Sequence, residues 1–137
     1  MFRRRFMAAL WCVLTGAVAP ARPLDIQQLI DRAEPGSTIV VPAGTYRGDI
    51  LIDRSVRLIG AGRPKLIGSG RGTVVSITAN GVVVDGFDID GLGGGDLGQD
   101  ASGIHIAAPG VTIRNCRITN TLFGIYLREA NGTSVEN

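Results

Sequence analysis

Short runs in which apolar and polar residues alternate recur on either side of three turns, Asn80-Gly81, Pro109-Gly110 and Asn131-Gly132. Val75-Ser76-Ile77, Ile104-His105-Ile106 and Ile125-Tyr126-Leu127 precede the turns; Val82-Val83-Val84, Val111-Thr112-Ile113 and Thr133-Ser134-Val135 follow them. Each run has period two, is rich in β-branched residues and is too short for a helix, so each predicts a strand. Gly81 to Gly110 is 29 residues and Gly110 to Gly132 is 22, so a unit of about 22 recurs with one seven-residue insertion, the glycine-rich stretch from Gly91 to Ser102.

Repetition on this scale predicts a solenoid, whose units bury apolar faces only against their neighbours. A leucine-rich repeat would require spaced leucines and an Asn or Cys ladder, which the units lack. A meander of hairpins is the rival, because Asn-Gly between alternating strands is a strong hairpin signal. A third run, Phe87-Asp88-Ile89 and again Cys116-Arg117-Ile118, recurs at one offset after the turn and favours a right-handed parallel β-helix. The register extends backwards through Asp49-Ile50-Leu51-Ile52 and Val56-Arg57-Leu58-Ile59-Gly60, giving four or five coils. Stacking at about 4.8 Å makes ladders of equivalent residues. Ile77, Ile106 and Leu127 are expected in one inner ladder, and Val84, Ile113 and Val135 in another.

Ile26, Leu29, Ile30 and Ala33 follow helical spacing instead. Asp25 with Gln28 resembles a capping box, Leu24 and Leu29 are placed for a staple, and Glu34-Pro35-Gly36 stops the helix. A solenoid end must be covered, and this helix is expected to cap the first coil. Thr38 to Pro42 reads as the first strand and Ala43-Gly44-Thr45-Tyr46 as the turn leaving it. Asn137 falls at the position of Asn115 and Gly86, mid-coil, so further coils are expected beyond it.

Residues 1–21 read differently. Arg3-Arg4-Arg5 precedes an apolar run from Phe6 to Val18, and Ala19-Pro20-Ala21 supplies the small residues of a cleavage site. The run is short of the roughly 20 residues a membrane span needs. The arginines resemble a twin-arginine signal without its preceding Ser or Thr, and the general secretory route is expected. A signal peptide at 1–21 therefore precedes a β-helix domain at 22–137, and the protein is expected in the periplasm. Of 14 Lys and Arg, three leave with the signal, and the other 11 face 12 Asp and Glu, a balance of about −1 that gives no electrostatic case for nucleic acid. Cys12 leaves as well, so Cys116 has no disulfide partner in the chain.

Candidate chemistry gathers on one strand face. Alternation turns Ser76, His105 and Tyr126 outward, with Thr78, Ala107 and Arg128 beside them. His105 and Tyr126 would form an imidazole and phenol pair able to bind a ligand or move a proton. Asp96 and Asp100 in the glycine-rich loop, with Asp88 or Asp90, offer oxygen ligands of the kind Ca²⁺ takes, although one His and this spacing match no standard metal motif. Cys116 occupies the slot of Phe87 and reads as a small core filler. Asn115 suits a left-handed turn.

Leu29-Ile30-Asp31, Glu34-Pro35-Gly36-Ser37-Thr38 and Pro42-Ala43-Gly44-Thr45-Tyr46 are similar to the opening of right-handed β-helix proteins of the pectin-lyase-like class. Asp100-Ala101-Ser102-Gly103-Ile104 and Thr121-Leu122-Phe123-Gly124-Ile125-Tyr126-Leu127 resemble, more narrowly, the NosD family. That resemblance implies a periplasmic accessory protein with no resident cofactor, working with an ABC transporter permease and with a metallochaperone or the reductase itself. Together these assemble the copper–sulfur centre of nitrous-oxide reductase. The alternative is a carbohydrate-active β-helix, a polysaccharide lyase, hydrolase or uronan epimerase with a polysaccharide along one outer face. Fold analogy does not decide between them.

Overall fold

Thirteen short strands wind into a right-handed parallel β-helix closed at its N-terminal end by one helix; the computed structural model describes residues 24–93 and 101–137. The helix, α1, is Ile26–Arg32, and the strands are β1 Thr38–Val41, β2 Thr45–Arg47, β3 Ile50–Ile52, β4 Arg57–Gly60, β5 Lys65–Ile67, β6 Val75–Ile77, β7 Val83–Asp85, β8 Asp88–Asp90, β9 Ser102–Ile106, β10 Thr112–Arg114, β11 Arg117–Thr119, β12 Phe123–Leu127 and β13 Ser134–Glu136. Every pairing is parallel. The first sheet runs β1-β4-β7-β10-β13, the second β2-β5-β8-β11 and the third β3-β6-β9-β12. Consecutive strands thus lie in different sheets, which rules out the hairpin meander.

The expected ladders are present. Ile77 pairs with Ile106 and Ile106 with Leu127; Val84 pairs with Ile113 and Ile113 with Val135. Ile77, Ile106, Val84 and Ile113 are buried, whereas Leu127 and Val135, in the last of the described coils, are about half exposed. Phe87 fills the middle of the stack, and Cys116 is half-buried in the same slot one coil on. Gly81, Gly110 and Gly132, the glycines of the three sequence turns, all have φ near +70°, a conformation in which a Cβ is strained.

One expectation fails at the first corner. Thr45 and Tyr46 do not belong to a turn; they begin β2, which pairs with β5 and opens the second sheet. The run is too short for periodicity to reveal, and Gly44 immediately before it disguises it.

α1 forms as its apolar spacing demands, burying Ile26 and Ile30 with Leu29 and Ala33 packed alongside. The Asp25 carboxylate accepts from the Gln28 N–H at 3.3 Å, which is the N-cap half of the expected box. Leu24, the proposed staple residue, is exposed. At the other end Arg54 Nη1 donates to the Asp31 and Ala33 carbonyls, closing the helix onto the next corner. The helix packs chiefly against β1 and β3.

Corners differ in tolerance. Between the first and second sheets the connections are 42–44, 61–64, 86–87 and 115–116; between the second and third they are 48–49, 68–74, 91–101 and 120–122. The pairings on both sides of the variable corner keep their register.

Candidate functional site

The outer face of the third sheet is built by register. Leu51 pairs with Ser76, Ser76 with His105 and His105 with Tyr126, so four coils contribute one side chain each to an outward ladder. At about 4.8 Å per coil the ladder runs roughly 14 Å. The residues on either side of Leu51, Ser76 and His105, such as Ile104 and Ile106 around His105, point inward and are buried, whereas Leu127 beside Tyr126 is half exposed. This is the period-two alternation of a strand whose inner face fills a core.

His105 and Tyr126 meet as the sequence predicts, their ring centroids 5.0 Å apart at 80° in an edge-to-face contact. Such pairs contribute about 1 kcal/mol beyond their buried area. His105 Nε2 is shielded from solvent and has no hydrogen-bond partner among the described residues. Phe123 adds a third ring, 6.4 Å from Tyr126 and tilted by 52°. Leu51, Phe123 and Tyr126 are each more than two-fifths exposed. Arg128, one step beyond Leu127, is exposed and donates its main-chain N–H to the Ile106 carbonyl, so it stands at the edge of this face.

On the other two outer faces Asp85, Asp88 and Asp90 are ion-paired. On the first sheet Arg114 lies 3.5 Å from its register partner Asp85, whose carboxylate also accepts from the Asn115 amide. On the second, Arg63 meets Asp88 at 2.9 Å and Lys65 meets Asp90 at 3.4 Å. Asn120, the Leu92 N–H and Lys65 hold the Asp90 carboxyl below the usual carboxylate value, the Asn120 amide foremost. Among the described residues the ladder on the third sheet holds no ion pair.

Asp96 and Asp100 lie outside the described residues, as do residues 1–21, read above as a signal peptide, with Cys12. Asp88 and Asp90, their suggested companions for Ca²⁺, face outward on the second sheet and are already engaged by cations and amides. No group of three His, Cys, Asp or Glu among the described residues is arranged to hold a metal ion. Burial, above all, pushes the Cys116 thiol up, and its sulfur donates to the Arg114 carbonyl at 3.3 Å, as a core filler would. Asn115 adopts φ 53° as expected.

Sequence reasoning missed two members of the face. Leu51 was recoverable, because it occupies the slot before Ser76 in the same register. Phe123 was not, because it has the parity of the inward Ile125 and Leu127 yet ends beside Tyr126.

The arrangement offers aromatic and apolar contact with one imidazole and one guanidinium at hand, which suits recognition of a surface better than covalent chemistry. No helix among the described residues is long and apolar enough to cross a membrane. No family model and no solved structure matches the chain. It is similar to the probable ABC transporter binding protein NosD of Pseudomonas aeruginosa, at 31% identity over 120 residues, which is 87% of this chain and 28% of that protein.

Proposed function

We propose that this chain belongs to an exported NosD-like accessory protein that acts with an ABC transporter in assembling the copper–sulfur centre of nitrous-oxide reductase. The third sheet is its protein-docking face. The observation that carries the docking assignment is the contrast between faces: Leu51, Ser76, His105, Tyr126 and Phe123 present apolar and aromatic surface without ion pairs, while Asp85, Asp88 and Asp90 of the other two sheets are held by cations. Exposed aromatic surface of this kind is what interfaces concentrate at their centres. The similarity to a protein named as an ABC transporter binding protein supplies the partner class. The residues 1–21 act as the export signal, and copper and sulfur are cargo of the assembled system.

The carbohydrate-active alternative has less support. Asp85, Asp88 and Asp90, at the ends of β7 and β8, are tied into inter-coil pairs and are not gathered around an open groove.

Deletion of the full-length gene in its own host, followed by spectroscopy of the reductase, tests the proposal. The copper–sulfur absorption should disappear on deletion and return with the parent gene. It should not return with Tyr126→Asp, a surface change that leaves the circular dichroism of the purified protein intact. A reductase fully loaded in the deletion strain overturns the maturation role; full rescue by Tyr126→Asp overturns the docking face alone.

A further inference from the structure

The three strands of the first coil are capped unequally. Parallel pairing sends the main-chain groups of alternate residues to opposite sides of a strand. In β3 the groups that face away from the second coil belong to Leu51, and the Gln27 side chain takes both of them. In β2, Lys65 N–H donates to the Gly44 carbonyl and Gly48 N–H to the Ile67 carbonyl, so Gly44, Tyr46 and Gly48 address the second coil. Thr45 and Arg47 therefore present their N–H and C=O on the free side, where no strand among the described residues pairs with them.

That free edge opens into a cleft of about 900 Å³ between α1 and β2, floored by Leu24, Ile26, Tyr46, Ile50 and Leu66. Three charged groups line it. Asp25 accepts from the Gln28 N–H, and Asp49 accepts from both the N–H and the hydroxyl of Ser69. Arg47 is exposed and has no ion-pair partner among the described residues.

The geometry points to a strand-addition site: an extended segment of a partner protein pairs in parallel with β2, placing an apolar residue opposite Tyr46 and an acidic residue opposite Arg47. Unpaired edge groups supply main-chain hydrogen bonds, and alternate side chains supply selectivity, the apolar one in the cleft and the acidic one on the outer face. The acid would repeat across this junction the arrangement that Arg114 and Asp85 make between coils. The partner's acid pairs with Arg47 in preference to any basic residue pairing with Asp25 or Asp49, whose carboxylates already accept hydrogen bonds. This site does not rest on the role assigned to the third sheet and lies at the opposite end of the ladder from Tyr126.

A blocked peptide with Thr-Val-Glu at its centre, titrated calorimetrically into the full-length protein, tests the site. Saturable one-to-one binding is expected, with new hydrogen-exchange protection at the Thr45 and Arg47 amides. Methylating the peptide amides that face β2 should abolish it. Arg47→Glu should weaken it at least tenfold and should favour the same peptide with Lys in place of Glu. Absence of saturable binding, indifference to methylation, or no reversal of the charge preference in Arg47→Glu overturns the proposal. So does full protection of the Thr45 and Arg47 amides in the free protein, which would mean that the edge is already paired by the protein's own chain.

Discussion

The side-chain amide of Gln27 behaves toward Leu51 as a strand residue would: its Oε1 accepts from the Leu51 N–H at 2.8 Å and its Nε2 donates to the Leu51 carbonyl at 3.0 Å. A single residue of α1 thereby closes the edge of the third sheet, at the foot of the ladder that ends in Tyr126. Gln27→Ala should cost about 1 to 2 kcal/mol, the net worth of two neutral hydrogen bonds. Gln27→Glu, which turns the donor into a carboxylate oxygen facing both the Leu51 carbonyl and Asp31, should cost at least as much. Thermal melts give the order, and hydrogen exchange at the Leu51 amide shows whether the loss is local.

Inner and outer positions of one strand should respond oppositely. Ile106→Asp places a charge in a fully buried slot and should unfold the repeat, with a loss above about 4 kcal/mol. His105→Ala should lose no more than the contact with the Tyr126 ring, about 1 kcal/mol. Equal damage in denaturant titrations of the two variants would contradict the assignment of faces.

Asp90 gives the acid limb a handle. Its carboxyl is held down chiefly by the Asn120 amide, so the stabilisation is present above the unfolded value of about 3.9 and is lost as pH falls through the lower folded value. Asn120 has φ 55°, so Asn120→Gly removes the amide without straining the turn. The variant should melt a few degrees lower at pH 7. The gap should close as pH drops below about 3.9. A gap that stays constant down to pH 2 would mean that the Asp90 interaction is not its source.

Cys116 should be a slow thiol. Desolvation pushes its ionisation up, so alkylation in the native protein at pH 8 should run roughly tenfold or more slower than in urea. Peptide mapping by mass spectrometry isolates this residue from Cys12. Equal rates in both conditions would show that the slot is open.

The repeat, its register and the capping helix were legible because each rests on local chemistry: glycines at left-handed corners, period-two runs, and one helix-period run bounded by Asp25 and Glu34-Pro35-Gly36. His105 and Tyr126 were legible as neighbours because register alone brings them together. What escaped depends on chain ends and on three-residue strands. β2 carries too few residues to show a period, Phe123 takes an exposed place that its parity does not predict, and the two hydrogen bonds between Gln27 and Leu51 span 24 residues between unlike elements. Asp88 and Asp90 looked free in sequence because nothing local reveals that Arg63 and Lys65, about one coil earlier, sit over them.

The corner between the second and third sheets varies from two residues to eleven while the strands on both sides stay in step. Length at that corner is therefore decoupled from the rest of the molecule, because loop closure grows only slowly with added residues and the coil closes through its own ladders. For protein engineering this makes the corner a built-in insertion port: a fluorescent tag, an epitope or a foreign binding loop placed between Gly68 and Val74 would project from the side of the solenoid without shifting a coil above or below it.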